Sequence, residues 1–154
     1  MSKEDVYLGY LGQTFQIKLI SQMMTDHKFA GKIIDIMLPK YFDDEYMRLI
    51  VSKLKDYHEK YDTVPNYDTL EMIIKTDITR DVTKEYVLDV IKEVKDVDLR
   101  DSIFIQEKSL KFCKQQELKK ANTEISKILN SGDFERYDDC EDLLKKALAV
   151  GDAA

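Results

Sequence analysis

Apolar residues return along this chain at intervals of three and four, the spacing of helices that bury one side. The steadiest run is Tyr46, Met47, Ile50, Val51, Leu54 and Tyr57, which predicts a helix ending near Lys60. Asp43, Asp44 and Glu45 stand at its start, where the helix dipole favours negative charge. Ahead of it, Thr14 can cap a helix reaching about Thr25 on Phe15, Leu19, Ile20, Met23 and Met24. Asp26 caps a second, with Phe29, Ala30, Ile33, Ile34, Ile36 and Met37 on a broad apolar face. Pro39 stops that helix, because its ring excludes the helical conformation of Leu38. After a break at residues 62–66, Asn66 or Asp68 opens a short helix over Leu70, Met72, Ile73 and Ile74. Residues 76–82 read as a loop, and Thr83 starts a fifth helix with Tyr86, Val87, Val90, Ile91 and Val94 inward.

The last third reads as a helical hairpin. Its first arm runs from about Asp101 to Asn130, with Leu118, Ala121, Ile125, Ile128 and Leu129 in one stripe. Gly132 suits the left-handed position that ends a helix, and Asp133 can cap the next. The second arm, about residues 134–150, answers with Phe134, Tyr137, Cys140, Leu144, Ala147 and Leu148. So short a connection folds the arms antiparallel. At roughly 1.5 Å per residue the second arm reaches back only to about Lys114. The first arm therefore outruns its partner, and its early residues Ile103, Phe104, Ile105, Leu110 and Phe112 need other cover.

The predicted fold is thus all-α: an N-terminal arm at residues 1–13, a five-helix head at 14–98, the hairpin at 99–150 and a linker start at 151–154. The arm carries Gly9, Gly12 and apolar residues without a clear period. It reads as a tail packing aromatics on the head or as a partner-binding segment. Five Gly and two Pro among 154 residues fit long helices better than a turn-rich sheet protein. No apolar run approaches ~18 residues and no N-terminal apolar core of a leader is present, so a cytoplasmic, non-membrane protein is expected.

Charge and chemistry narrow the picture. Residues 99–130 hold seven basic residues (Arg100, Lys108, Lys111, Lys114, Lys119, Lys120, Lys127) against four acidic ones. That is +3 against −9 elsewhere, for a total of −6. The lysines are spread around the arm with only Phe112 as an aromatic among them, a poor stacking platform for single-stranded nucleic acid. DNA contact is therefore expected to be weak or indirect. His27 and His58 lie on different helices without a Cys or His companion at ligand spacing, so no metal is expected. Gly31-Lys32 lacks the preceding glycine and following hydroxyl residue of a phosphate loop and falls inside a helix. Cys113 and Cys140 fall in or beside apolar stripes and read as reduced, packed thiols. The acidic clusters at 43–45 and 138–142 read as helix starts. No catalytic residue, cofactor site or enzyme activity is expected of these residues.

The head segments Leu38-Pro39-Lys40-Tyr41-Phe42 and Val64-Pro65-Asn66-Tyr67-Asp68-Thr69-Leu70 stand in order before the hairpin's Glu107-Lys108-Ser109-Leu110, Asn130-Ser131-Gly132-Asp133-Phe134 and Cys140-Glu141-Asp142-Leu143-Leu144. In that order and spacing, across most of residues 14–150, the chain resembles the N-terminal domain of hexameric replicative DNA helicases of the DnaB family, especially phage-encoded members. The resemblance implies a collar domain above a ring of motor domains. Such a domain forms a homo-oligomer, either a dimer or a trimer of dimers, and meets a primase or helicase loader. It also implies that the ATPase chemistry belongs to a parent protein, because no phosphate-binding loop or motor is present here. The residues expected at subunit or partner contacts are Ile103, Phe104, Leu110, Phe112, Leu118, Leu144 and Leu148. Two other classes stay open: a stand-alone helical adaptor binding a host or phage protein, and an accessory nucleic-acid-binding protein using the basic arm.

Overall fold

A computed structural model describes residues 3–150, with side chains from residue 12 onward. Among these residues the fold is all-α, without strands. In order come α1 (Lys3–Thr25), α2 (His27–Ile33), a 3₁₀ turn (Pro39–Tyr41), α3 (Glu45–Tyr61), α4 (Tyr67–Asp77) and α5 (Asp81–Asp96). There follow α6 (Ser102–Ser131), a second 3₁₀ turn (Phe134–Arg136) and α7 (Tyr137–Leu148). The chain forms two compact units, residues 1–106 and residues 107–154.

The first unit is built around α3, which packs on α4 and α5, while α1 packs on α2 and α5. Met47, Ile50, Val51 and Leu54 of α3 are fully buried, as are Leu19, Ile20 and Met23 of α1. Helix starts are fixed by local side chains. The Asp26 carboxylate accepts from the Phe29 N–H, Asp44 from the N–H groups of Tyr46 and Met47, and Asn66 from that of Thr69. Each satisfies donors that a helix N-terminus cannot pair internally.

Several bounds differ from the periodicity. The α1 helix begins at Lys3, inside the segment expected as a flexible arm without a clear apolar period, and Gly12 interrupts its helical path at φ −9°, ψ −121°. Residues 1 and 2, and the side chains of that arm up to residue 11, lie outside the described residues. The α2 helix ends at Ile33 rather than running to Pro39. Lys55 Nζ donates to the Ile34 carbonyl at 2.7 Å, and Ile36 and Met37 both donate to the Ile33 carbonyl, so a turn forms where the apolar run continues. The following loop is held to α1 and α3. Buried Gln16 donates to the Asp43 carboxylate and accepts from its N–H, both at 3.1 Å, while Arg48 donates to the Phe42 and Asp43 carbonyls.

The boundary between the units falls inside α6, eight residues beyond the expected end of the head at 98. The first turn of α6 is bound into the head by polar contacts that no apolar pattern reveals. Gln106 Nε2 donates to Gln22 Oε1 and Asp26 Oδ2, both at 2.9 Å, and Lys18 pairs with Asp101 at 2.8 Å. Ile105 is buried beside them in sequence.

In the second unit the connection is as its residues dictate. Gly132 adopts φ +68°, Ser131 Oγ donates to the Ile128 carbonyl, and the Asp133 carboxylate accepts from the Glu135 N–H. Ala121 and Ala147, both buried, border one cavity together with Leu143 and Val150 of the second arm and Glu117 and Lys120 of the first. The end of the second arm thus returns to the level of Glu117, within a turn of the expected Lys114.

Candidate functional site

The chemistry-bearing side chains are committed to structure. The Asp43 and Asp44 carboxylates bind Gln16 and the start of α3. Phe29's N–H, then the Gln106 amide, hold the Asp26 carboxyl below its usual range. Arg100 does the same for Asp98 through a side-chain hydrogen bond, and the pair stands 2.7 Å apart. Tyr46 stacks on Tyr86 with ring centroids 5.2 Å apart, and burial, with Glu45 adding to it, pushes its phenol upward. Gly31 and Lys32 lie within α2, whose backbone N–H groups are spent on the helix. Cys113 is buried and Cys140 is partly exposed. Among the described residues no group of three or more His, Cys, Asp or Glu is placed to hold a metal ion. No described helix is long and apolar enough to cross a membrane.

What the second unit presents is apolar surface. Phe134 is 76% exposed, Leu129 54%, Leu148 53%, Leu144 42% and Tyr137 40%. The six residues expected to line the inner face of the second arm therefore divide. Ala147 is buried and Cys140 partly so, whereas Phe134, Tyr137, Leu144 and Leu148 face solvent. On the first arm Ala121 and Ile128 are buried, Leu118 and Ile125 half-buried, and Leu129 exposed. The reason is angular. Leu143 and Ala147 lie on one side of α7 and meet the cavity against α6, whereas Tyr137, Leu144 and Leu148 lie about a quarter-turn or more around the helix. A single neighbouring helix covers one side only. Phe134 and Tyr137 meet edge to face at 5.4 Å and extend the uncovered side toward the turn.

The seven residues expected at contacts are scattered by the fold. Ile103 (76% exposed) and Phe104 (48%) lie in the first unit. Leu110 and Leu118 are half-buried, and Phe112, at 7% exposed, is enclosed by the chain's own fold and presents little surface to a partner. Leu144 and Leu148 remain on the open side of α7. Sequence reasoning missed Leu129, Phe134 and Tyr137 as surface. Their signal was present, since the apolar band of the second arm is wider than one partner helix can cover.

The charges around this band are ordered along the helix. Asp138, Asp139, Glu141 and Asp142 occupy the first half of α7, and Lys145 and Lys146 the last turn, an order that suits the helix dipole. Lys145 pairs with Glu141 at 2.9 Å, with both side chains largely in solvent. Lys127 of the basic arm pairs with Glu124 at 3.4 Å, and Lys111, Lys119 and Lys120 are exposed on different sides. Comparison with protein-family models, with curated proteins and with solved structures gives no match to this chain.

Proposed function

We propose that this chain is a collar domain of a replicative DNA helicase of the DnaB family: it assembles copies of its parent protein and offers a platform to a primase or helicase loader. On this reading the nucleotide chemistry resides in a motor domain that these residues do not include. DNA is touched weakly or indirectly, no cofactor is bound, and the setting is the cytoplasm of a bacterial or phage-infected cell. Support comes from the order of elements, a helical head followed by a hairpin with unequal arms. The observation that carries the reading is the uncovered apolar band of the hairpin, Leu129, Phe134, Tyr137, Leu144 and Leu148. Large apolar side chains left exposed together on one short segment are candidates for an interaction site.

The magnitude fits assembly by many weak contacts. Full burial of such a side chain is worth ~1.5–3 kcal/mol, so covering five that are about half exposed yields roughly 5 kcal/mol from each copy before the cost of association. That cost is ~4–15 kcal/mol, which leaves a weak pair that a ring can multiply. Sedimentation equilibrium over a concentration series checks the proposal: reversible association at high micromolar concentration is expected. A strict monomer there overturns self-assembly as the role of the isolated domain. Tight single-strand DNA binding with a steep salt dependence would instead identify an accessory nucleic-acid-binding protein.

A further inference from the structure

We infer that the outer face of α5 docks a basic helical segment of another protein, with an arginine of that segment stacked on the Tyr46–Tyr86 ring pair. The face lies in the first unit, so the inference goes beyond assembly through the hairpin and is tested apart from it. Val82, Glu85, Tyr86, Asp89, Glu93 and Asp96 recur along α5 at spacings of three and four. At about 100° per residue they fall within roughly a quarter of the helix circumference, away from buried Val87, Ile91 and Val94. All six are exposed, Val82 to 61% and Tyr86 to 52%. Tyr46 of α3 stacks on Tyr86 with centroids 5.2 Å apart and planes 21° from parallel, which widens the aromatic surface.

Charge then decides the occupant. Among the described residues none of the four carboxylates on this face pairs with a cation. Lys92 borders the face without an ion pair, and Lys95 lies over the Tyr67 ring instead. Glu85, Asp89 and Glu93 stand four residues apart, a spacing at which like charges repel and weaken a helix. Glu93 and Asp96 also occupy the last turn, where the helix dipole disfavours negative charge. The fold of the head gains nothing from this ladder, whereas cations at matching spacing on a second helix relieve both costs. A phosphate backbone is repelled by it, which excludes nucleic acid as the occupant. A second copy offers no matching stripe, since the exposed lysines of its basic arm, Lys111, Lys119 and Lys120, lie on different sides. Val82 and the two rings supply the apolar anchors that a docked helix needs. Arginine suits them best, because its planar guanidinium can lie on a ring while its N–H groups fork to a carboxylate.

The test uses the whole chain and a fluorescein-labelled synthetic helical peptide, with arginine at every fourth position and leucine beside it. Fluorescence anisotropy at low salt should show saturable binding that a glutamate-for-arginine version of the peptide lacks. Glu85→Gln/Asp89→Asn/Glu93→Gln should weaken binding about tenfold, the reach of three exposed ion pairs. Tyr86→Ala, which leaves the charge unchanged, should weaken it about threefold, the size of one exposed cation–π contact. The same charge change placed elsewhere in the unit, Asp56→Asn/Glu59→Gln/Asp68→Asn, should leave binding unaltered. The α5 triple variant removes like charges at four-residue spacing, so it should melt no lower than wild type, and lost binding is then not lost folding. No binding up to millimolar peptide, or equal weakening by the two triple variants, would overturn the proposal. Sedimentation equilibrium separates the remaining case: self-association weakened by the α5 triple variant would give the face to a second copy and overturn a foreign partner.

Discussion

Alanine at two exposed glycines should change stability in opposite directions. Gly31 lies inside α2 and Gly132 just past α6, and a methyl group added at either meets no atom within 4 Å. Contacts therefore decide nothing, and backbone conformation decides the sign. At Gly31 the helical backbone suits alanine, and removing glycine's freedom in the unfolded chain should stabilise the head by about 0.5–1 kcal/mol. At Gly132, φ is +68°, where a side chain crowds the following carbonyl, so Gly132→Ala should destabilise the hairpin by about 1 kcal/mol or more. For a chain of this size 1 kcal/mol moves a melting temperature by about 2–4 °C. Urea denaturation followed by helical circular dichroism should show the midpoints moving apart with unchanged slopes. Gly132→Asn should recover most of the loss, because asparagine tolerates the left-handed region. A shift in the same direction for both alanine variants would refute the argument. A loss at Gly31 would contradict the helical conformation of that residue.

Gln16→Leu should cost about 1 kcal/mol in urea denaturation, because it removes the amide that both donates to the Asp43 carboxylate and accepts from the Asp43 N–H. The Asp26 carboxyl is held low by the Phe29 N–H and by Gln106, so its contribution is fully present above the ordinary carboxylate pKa and is lost as pH falls through the depressed folded value. Thermal melts across the acid range should accordingly show Asp26→Asn, which can still cap α2, flattening the acid limb, and Asp26→Ala lowering stability at neutral pH as well. An unaltered acid limb in Asp26→Asn would exclude this carboxylate as a source of the pH dependence.

Local signals made much of this fold legible. Asp26, Asp44 and Asn66 cap the helices they precede, Asp133 caps a 3₁₀ turn ahead of α7 rather than the helix itself, and Gly132 takes the left-handed conformation; each depends on groups within three residues. Two of the differences involve partners far away in the chain. Just past the end of α2 the Lys55 side chain reaches the Ile34 carbonyl from another helix. The start of α6 is tied to the head by Gln106 reaching Gln22 and Asp26, 84 and 80 residues earlier in the chain. Neither partnership leaves a periodic trace. The residues expected at contacts were legible only as apolar: periodicity marks Phe112 and Leu148 alike, yet the fold encloses the first and leaves the second 53% exposed.

That contrast bears on what α7 is for. Its apolar residues span two adjacent sides of a twelve-residue helix, and one side suffices for the hairpin, through Leu143 and Ala147. Folding the hairpin alone would be served as well by polar residues at 134, 137, 144 and 148, which would also improve solubility. The second apolar side is therefore surplus to the fold of the isolated chain. The first unit also leaves large apolar side chains exposed, among them Met72, Val82 and Ile103, so exposure by itself does not set α7 apart. What distinguishes α7 is that exposed Tyr137, Leu144 and Leu148 share one side of a single helix, the side that the proposed assembly would cover.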